Sequence, residues 1–429
     1  MSKIKIKNFQ APRGTYDILP EEQPWWEKIR KTVKELSGDY GFSKIDTPIF
    51  EDMELFARSA GASSDLVEKE MYSFRTRGGD QLALRPEGTA GVIRAYLENG
   101  MVDLPHPVKL FYFGPMFRYE RPQAGRYRQH HQFGFEVIGG DEPVLDAQVI
   151  QLFLHISRQV GLKKLSVHIN SIGCPECRPG YRRALVDYYR SKKQKICPDC
   201  QRRLKENPLR LLDCKEEKCQ PIKAGAPLTL DYLCPACHGH FKSVLEFLDE
   251  LEVPYFLNHQ LVRGLDYYTK TVFEVFFESE GQPPLALGGG GRYDGLVKNL
   301  GGRPTPAVGF GAGIERIISL MKEQGVKVPV KPAPKIFLVE LGELGQRKSL
   351  KLFEELHKEG IIVAESLNKS NIKSQLKIAD RIGVKFALIL GQQEALEGTV
   401  IIRDMQSRVQ ETVPLAKVAG ELKKRLAKK

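Results

Sequence analysis

The spacing of apolar and polar positions predicts helices and strands arranged in more than one domain. The segment PEEQPWWEKIRKTVKELSGDYG, residues 20–41, repeats its apolar positions at helical spacing, and strands with short helices follow up to about Gly161. Strand-rich sequence resumes at about Pro254, after a segment that carries cysteines. Three prolines in the polar stretch KVPVKPAPK, residues 327–335, indicate a linker.

Beyond this linker, apolar runs alternate with helical segments. Their order is KIFLVEL, LKLFEELHKEG, IIVAESL, SQLKIADRIG and FALILG. Such alternation is typical of a small α/β domain with a largely parallel sheet. We therefore assign the chain to the α/β class.

Two strands joined by a loop rich in Pro, Gly and Arg are predicted for residues 108–140. Side chains alternate with period two along a strand, so Arg118 and Glu120 would share one face. Residues 307–320, AVGFGAGIERIISL, predict a glycine-rich strand that leads into an amphipathic helix carrying Arg316.

A third arginine, Arg263, lies in the segment LVRGLDYYTKTVFE, residues 261–274, and the loop ALGGGGRYDGL follows at residues 286–296. Guanidinium groups bind phosphate oxygens in pairs and stay charged, while glycine lets the backbone approach a ligand. Arginines beside two adjacent tyrosines suit a pocket for an anion and a small polar ring. The chain has no GxxxxGK[ST] motif, which excludes a P-loop.

Composition favours a protein of the cytoplasm that binds a polyanion. Hydrophobic residues make up 41% of the 429 residues, and no apolar run approaches the ~20 residues of a membrane span. The basic start MSKIKIKNFQ is not followed by the apolar core of a signal peptide. The net charge is +12, which fits a nucleic-acid partner and, equally well, a generally basic surface without one.

All cysteines of the chain lie within residues 174–237, and three CxxC pairs are among them. In a reducing compartment this pattern favours thiolate ligands for a structural zinc ion, with free thiols as the alternative. The spacing does not reveal which four would bind. One tetrahedral set is Cys197, Cys200, Cys234 and Cys237, in which His238 or His240 could replace a cysteine.

Blocks spread over nearly the whole chain resemble those of bacterial histidyl-tRNA synthetases, a family of class II aminoacyl-tRNA synthetases. The matching blocks are YGFSKIDTPIFED (residues 40–52, motif 1, with Pro48), FRYE (117–120, motif 2), GIER (313–316, motif 3), the histidine-specific segments 261–274 and 286–296, and the further blocks APRGTYDILP (11–20) and LALRPEGTAGVIRAY (82–96).

The resemblance implies a domain plan and partners. A catalytic α+β domain with an antiparallel sheet and flanking helices would comprise residues 1–170 and 241–328. Residues 171–240 would form the cysteine-containing insertion near the acceptor arm of tRNA, and residues 329–429 the anticodon-binding domain. Members of this class are usually homodimers through motif 1.

The resemblance also implies the chemistry, which is ATP-dependent ligation of histidine to tRNA through histidyl-adenylate. Arg118 and Arg316 would bind the α- and γ-phosphates, and Arg126 further phosphate oxygens. Glu120 would meet the adenine amino group. Arg263 would lie beside the α-phosphate where other class II members place magnesium, while Mg²⁺ accompanies the outer phosphates.

Selectivity requires groups that pair with both imidazole nitrogens. The candidates implied for the ring are Glu136, Tyr267 and Tyr268, with Arg263 alongside, and those for the α-amino group are Glu87, Thr89 and Gln132. Gln123 is a candidate contact to the extra 5′ guanosine of the tRNA. His106, His130 and His131 are expected to have no catalytic role.

Three alternatives compete with this interpretation. The regulatory subunit of ATP phosphoribosyltransferase shares the fold, but it lacks the C-terminal domain and usually loses motif residues. A non-enzymatic zinc-ribbon protein that binds nucleic acid would account for the cysteines and the charge, although not for the other blocks. A different class II synthetase would not carry the segments at 261–274 and 286–296.

Overall fold

The computed structural model describes residues 9–61, 64–120, 125–279, 281, 283–329, 332–367 and 371–427. The chain divides into two compact units, Met1–Pro329 and Val330–Lys429. This division falls one residue after the expected start of the second domain.

The first unit contains ten α-helices and eleven strands within its described residues. The helices are α1 Gln23–Asp39, α2 Met53–Ala60, α3 Thr89–Glu98, α4 Pro143–Gln159, α5 Arg178–Arg190, α6 Pro198–Glu206, α7 Gln220–Ala224, α8 Pro235–Glu250, α9 Leu296–Asn299 and α10 Ile314–Glu323. The strands are β1 Ser43–Lys44, β2 Phe50–Asp52, β3 Ser73–Arg75, β4 Gln81–Leu84, β5 Val108–Phe117, β6 Gln129–Ile138, β7 Leu165–Ser171, β8 Tyr255–Leu257, β9 Thr269–Phe277, β10 Leu285–Arg292 and β11 Ala307–Gly313.

Eight of these strands form one large sheet in the order β1-β5-β6-β11-β10-β9-β7-β8. The inner pairings are antiparallel, and only the edge pairs β1/β5 and β7/β8 are parallel. Strands β2, β4 and β3 form a separate small antiparallel sheet. The predicted antiparallel sheet with flanking helices is therefore confirmed.

An aromatic layer holds helix α4 against one face of the large sheet. The ring of Phe153, from α4, stacks on that of Phe310 with centroids 4.7 Å apart, and Phe310 stacks on Phe135 at 5.3 Å. All three side chains are at most 2% exposed. Such pairs add to the stability that burial of the ring area already supplies. The layer packs against β6 and β11, and both strands carry or adjoin candidate site residues.

The second unit is a mixed sheet with helices. Its helices are α11 Gly342–Lys358, α12 Ile372–Ile382, α13 Gln392–Glu397 and α14 Val418–Ala427, and its strands are β12 Ile336–Glu340, β13 Val363–Glu365, β14 Phe386–Leu390, β15 Thr399–Asp404 and β16 Gln410–Pro414. The predicted alternation of strand and helix up to β14 is confirmed.

The sheet of the second unit is only half parallel, which corrects the prediction of a largely parallel one. Its order is β13-β12-β14-β15-β16, and the pairings of β15 with β14 and with β16 are antiparallel. Strands β12 and β14 are buried at every residue, whereas β16 is mostly exposed. Continuous apolar runs revealed the buried parallel strands, but the half-exposed hairpin carries a weaker signal.

The cysteine-containing segment is mainly helical and belongs to the first unit. Its last helix, α8, runs from Pro235 to Glu250, so it crosses the expected boundary at residue 240. No helix within the described parts of the chain has the length and apolar character needed to cross a membrane.

Candidate active site

The turn between β5 and β6 brings the motif 2 side chains together. Arg118 follows β5, and its backbone N–H donates to the carbonyl oxygen of Arg128 at 2.9 Å. Its side-chain Nε donates to the carbonyl oxygen of Pro86 at 2.9 Å, and its Nη1 lies 4.0 Å from Glu120 Oε1. Glu120 accepts a hydrogen bond of 3.0 Å from Arg126 Nη1. A carboxylate and two guanidinium groups thus meet at the end of the hairpin.

Arg316 approaches the same place from the first turn of α10. Its Nη1 donates to the carbonyl oxygen of Ala286 at 2.7 Å, and its Nε donates to that of Gly125 at 3.3 Å. Burial, followed by the positive charge of Arg126, lowers the pKa of the Arg316 guanidinium. Cations that disfavour one another without a ligand are stabilised when an anion binds between them.

Arg263 forms an ion pair with Glu274 on β9. Burial alone would lower the pKa of Arg263, but the Glu274 carboxylate and the neighbouring Tyr268 raise it overall. Gly289 lies opposite Glu274 in the sheet, and a Cβ there would come within 2.8 Å of Glu274 Cγ and 3.0 Å of Arg263 Nη1. Glycine at this position therefore leaves the space in which the pair lies.

These groups line one cavity of about 190 Å³, together with glycines of β10 and β11. Six of the predicted site residues are among its lining residues: Arg118, Glu120, Arg126, Gln132, Arg263 and Arg316. Four guanidinium groups around one cavity make a strong site for a polyphosphate.

A second, enclosed group of polar side chains surrounds Glu136 on β6. Thr89 Oγ1 donates to Glu136 Oε1 at 2.7 Å, and the Tyr293 hydroxyl donates to Oε2. Burial, which outweighs these two hydrogen bonds, raises the pKa of Glu136 to about 8. A Cβ at Gly309 would lie 1.9 Å from Glu136 Oε2, so only glycine leaves room for this carboxyl group.

Three tyrosines form the wall beside Glu136. The ring of Tyr267 lies 4.6 Å from that of Tyr268 and 5.6 Å from that of Tyr293, measured between centroids. Burial raises the pKa of each hydroxyl, so all three remain neutral at pH 7. The Arg263 guanidinium lies 5.7 Å from the centroid of the Tyr268 ring and thereby connects this pocket to the arginine-lined cavity.

Glu87 stands two residues before the start of helix α3 and is 5% exposed. Its two carboxylate oxygens accept hydrogen bonds from the backbone N–H groups of Thr89 and Ala90, at 2.6 and 3.0 Å. Burial raises the pKa of Glu87. A carboxylate at the start of a helix is stabilised by the orphan N–H groups there. The expected role of Glu87 in binding an α-amino group stays a prediction.

Comparison with known proteins places this site in a family. Residues 14–317 match the family model described as histidyl-tRNA synthetase, and residues 335–425 match the anticodon binding domain. The chain is 49% identical over 418 residues to a histidine–tRNA ligase of Dehalococcoides mccartyi, which covers 97% of this chain and 100% of that protein. The chain belongs to the histidyl-tRNA synthetase family.

Other relatives agree with this assignment to the synthetase family. A histidine–tRNA ligase of Desulforamulus reducens is 46% identical over 96% of this chain and 99% of its own length. The crystal structure of apo S. aureus histidyl-tRNA synthetase superposes with a TM-score of 0.77 at 37% identity, covering 96% of this chain and 99% of that chain. Full-length coverage includes the anticodon-binding domain, which the regulatory-subunit alternative lacks.

The sequence analysis missed two residues of the site, Tyr293 and Glu274. Tyr293 lies within the glycine-rich segment 286–296, yet its hydrogen bond to Glu136 spans 157 residues of sequence. Glu274 ends the segment 261–274 and pairs with Arg263. Both residues lie inside the quoted histidine-specific segments, so the signal was present, but no spacing rule indicated their partners.

The histidines make contacts that fit structural roles. His131 Nδ1 lies 2.9 Å from Glu315 Oε1, and His106 Nε2 lies 2.8 Å from the Tyr96 hydroxyl. Burial and then the charge of Arg118 lower the pKa of His130 to about 3, so it is neutral at pH 7.

The cysteines form two groups of four, which corrects the predicted set. One group is Cys174, Cys177, Cys234 and Cys237, and the other is Cys197, Cys200, Cys214 and Cys219. The predicted set of Cys197, Cys200, Cys234 and Cys237 is wrong because it takes two residues from each group. Neither His238 nor His240 belongs to a group, and His240 instead contacts Asp146 at 3.4 Å.

Proposed function

We propose that this protein joins L-histidine to its tRNA in two steps at the arginine-lined cavity. The histidine carboxylate attacks the α-phosphorus of ATP, the bond to the bridging oxygen breaks, and pyrophosphate leaves. The 3′ terminal hydroxyl of the tRNA then attacks the acyl carbon of histidyl-adenylate. AMP leaves, and the hydroxyl proton passes to solvent or to the departing phosphate.

The observation that carries this proposal is the buried carboxyl group of Glu136 in the tyrosine-walled pocket, which Tyr268 and Arg263 connect to the arginine-lined cavity. A carboxyl group beside neutral tyrosine hydroxyls offers partners to both imidazole nitrogens. A ligand that lacks the second nitrogen would leave a buried polar group unpaired, which strongly disfavours its binding. Arg263 lies between this pocket and the phosphate-binding cations, where the ligand carboxylate would meet the α-phosphate.

The arginines of the cavity would bind different parts of the ATP triphosphate. Arg118 and Arg263 would neutralise the α-phosphate as negative charge grows on its oxygens, and Arg316 would hold the γ-phosphate. Arg126 would bind the remaining phosphate oxygens after release from Glu120. Glu120 is then free to accept from the adenine amino group. Guanidinium groups held in place before the reaction stabilise the transition state without reorganisation.

Magnesium would enter with ATP as part of the substrate. In the part of the cavity that the structure describes, three carboxylates already have hydrogen-bonding partners: Glu120 with Arg126, Glu274 with Arg263, and Glu315 with His131. The protein therefore supplies no pair of free carboxylates there, and phosphate oxygens would be the main ligands of Mg²⁺. No step of the proposed reaction depends on a protein-bound metal.

The α-amino group of histidine would be held by Glu87, Thr89 and Gln132. Gln132 lines the cavity. Thr89 already links Glu87 to Glu136, because its backbone N–H donates to Glu87 and its hydroxyl donates to Glu136. A ligand that contacts Glu87 or Glu136 is thus coupled to the other of these two carboxylates through Thr89.

The proposed partner is the tRNA for histidine, bound by a homodimer in the cytoplasm. The anticodon-domain match and the net charge of +12 support the tRNA partner. Motif 1 presents Ile49 and Phe50 with 44% and 50% of their surface exposed, which supports an interface between two copies. Gln123, the candidate contact to the tRNA 5′ end, lies outside the described residues.

Pyrophosphate exchange with each of the twenty amino acids tests the proposal. We expect exchange with histidine alone, and a large loss of it in the Glu136→Gln variant. Leu228→Ala, a change at an exposed residue outside the cavity, serves as the control and should exchange normally. Exchange with a different amino acid, or with none, would reject the proposal, and the second outcome would favour the regulatory-subunit alternative.

A further inference from the structure

The sulfur atoms of the two cysteine groups lie at the spacing of a metal-thiolate centre. Within each group all four Sγ atoms are within 4.8 Å of one another. Cys174 Sγ is 3.6 Å from Cys177 Sγ and 3.9 Å from Cys234 Sγ. Zinc bonds to sulfur at ~2.3 Å, so the sulfur atoms of a tetrahedral site are about 3.8 Å apart. The measured separations match this edge length.

The second group has the same geometry at a more buried place. Cys197 Sγ and Cys214 Sγ are 3.8 Å apart, and all four cysteines of this group are at most 4% exposed. A disulfide would bring one pair to about 2.05 Å and would leave no reason for four sulfurs to meet. Buried free thiols behave as small apolar side chains, which do not need one another as neighbours. The presence of two separate clusters of four cysteines therefore favours metal binding.

Backbone N–H groups are directed at the sulfurs, as expected for thiolates. Cys234 N donates to Cys177 Sγ at 3.0 Å, and Cys197 N donates to Cys219 Sγ at 3.2 Å. Cys200 N donates to Cys197 Sγ at 3.4 Å. Such outer hydrogen bonds orient metal ligands and stabilise their negative charge. The two groups thus have both the ligand atoms and the supporting donors of zinc sites.

The segment that carries the cysteines is hydrogen-bonded to the backbone and side chains of residues 263–268. Arg178, which follows Cys177, donates to the carbonyl oxygen of Tyr268. Arg210, which lies between Cys200 and Cys214, donates from Nη1 to the carbonyl oxygen of Arg263 at 3.2 Å. Asn207 Nδ2 donates to Asp266 Oδ1 at 3.0 Å.

These bonds join two arginines of the cysteine-containing segment to the backbone of Tyr268 and Arg263. A zinc ion with four thiolates carries a net charge of −2, so arginines close to it act as counterions. Arg178 is near the first group, and Arg210 lies in the chain between cysteines of the second. Arg178 can therefore act both as a counterion of the first group and as a support for Tyr268. Arg210 supports Arg263, and its charge is paired with Asp213 at 3.6 Å.

We infer that the protein holds two structural zinc ions, one in each cysteine group, and that Arg178 and Arg210 transmit the rigidity of these two sites to the histidine pocket. The zinc sites stand on the sulfur geometry alone. The effect on histidine binding rests on the proposed function.

Metal analysis of the purified full-length protein gives the first test, and we expect two zinc ions per chain. Two double variants, each with two cysteines replaced, then test which cysteines share a zinc ion. Cys197→Ser with Cys200→Ser should leave one zinc, whereas Cys200→Ser with Cys237→Ser should leave none. One zinc or none in the unchanged protein would overturn the inference, as would equal zinc contents in the two double variants.

The unchanged protein offers a test that does not depend on the folding of variants. Titration with an organomercurial that reacts with thiols should release two zinc ions as the eight thiolates are modified. Full modification without any release of zinc would contradict the two sites. A protein that contains two zinc ions but does not exchange pyrophosphate would keep the sites and reject only the proposed function.

The support of the histidine pocket is tested with Arg210→Ala. We expect the variant to retain two zinc ions and to raise the KM for histidine about tenfold or more, since the hydrogen bond from the charged Arg210 guanidinium to the Arg263 carbonyl oxygen is lost. The KM for ATP should change less than the KM for histidine, because Arg118, Arg126 and Arg316 would bind the phosphates from other elements. Arg190→Ala removes a mostly exposed arginine of α5 and is the matched control. An unchanged KM for histidine in Arg210→Ala would refute the coupling.

Discussion

Glu136 makes histidine binding depend on pH in a way that can be measured directly. Its pKa of about 8 means that the empty pocket holds a proton on this carboxyl group below pH 8. We expect one proton to be shared between Glu136 and the imidazole in the complex, because a second would leave a buried cation without a partner. Below pH 8 that proton is already present, and above pH 8 it must come from solvent.

The magnitude follows from comparison with the Glu136→Gln variant, which binds the neutral imidazole and cannot carry the proton. The difference in proton uptake between the two proteins equals the ionised fraction of Glu136 in the empty pocket. For a pKa of about 8 this difference is about 0.1 proton at pH 7 and about 0.5 at pH 8. An ordinary glutamate, with a pKa near 4.3, would give about one proton at both pH values.

Isothermal titration calorimetry of histidine binding, in buffers that differ in ionisation enthalpy, measures this uptake. Subtracting the variant removes the contributions of the ligand's own ionising groups. The variant should bind about 30-fold more weakly or worse, since one partner of a buried charged pair is lost. A difference near one proton at pH 7 would refute the raised pKa.

A second substitution checks the sign of the effect. The hydrogen bond from Tyr293 lowers the pKa of Glu136 and so opposes the effect of burial. Tyr293→Phe should therefore raise the pKa further and reduce the uptake difference at pH 8 below one half, when compared with a variant that carries both changes. An increase in that difference would show that the hydroxyl acts in another way.

Three further predictions concern other parts of the site. Arg263→Ala should slow adenylate formation about 10²- to 10³-fold in single-turnover assays while the circular dichroism spectrum stays unchanged; a near-normal rate would exclude its role at the α-phosphate. Gly309→Ala should abolish measurable histidine binding but not ATP binding, because its Cβ would lie 1.9 Å from Glu136 Oε2, whereas Gly295→Ala, with open space around it, should bind both. Phe50→Glu should halve the mass measured by analytical ultracentrifugation, and an unchanged dimer would place the interface elsewhere.

Short motifs carried most of the information about the site. Strand alternation predicted that Arg118 and Glu120 share one face of a strand; β5 ends at Phe117, so both residues lie just beyond it, and both line the cavity. The catalytic domain with an antiparallel sheet, which the family resemblance implied, is confirmed. The mixed sheet of the second unit was harder to predict from the sequence, since β15 and β16 form a hairpin near the sheet edge.

The cysteine segment marks the limit of what spacing can decide. A CxxC pair fixes only two ligands, because three residues of sequence keep two sulfurs close. The partner pair is chosen by the path of the chain, and that path joins Cys174 to Cys234 across 60 residues. Motif spacing therefore indicated a metal but could not show which pairs belong together, and the one set that it suggested mixes the two groups.

The sequence by itself determined the family, the catalytic segments and the chemical types of the side chains that line the site, because these are properties of short runs of residues. Only the tertiary structure decided the pairings: Tyr293 with Glu136, Glu274 with Arg263, and the cysteines in two groups. Pairings over long distances depend on burial and on strand register, and the same burial raises the pKa of Glu136. The function that we propose depends both on the side chains that the sequence supplies and on the pairings that the fold creates.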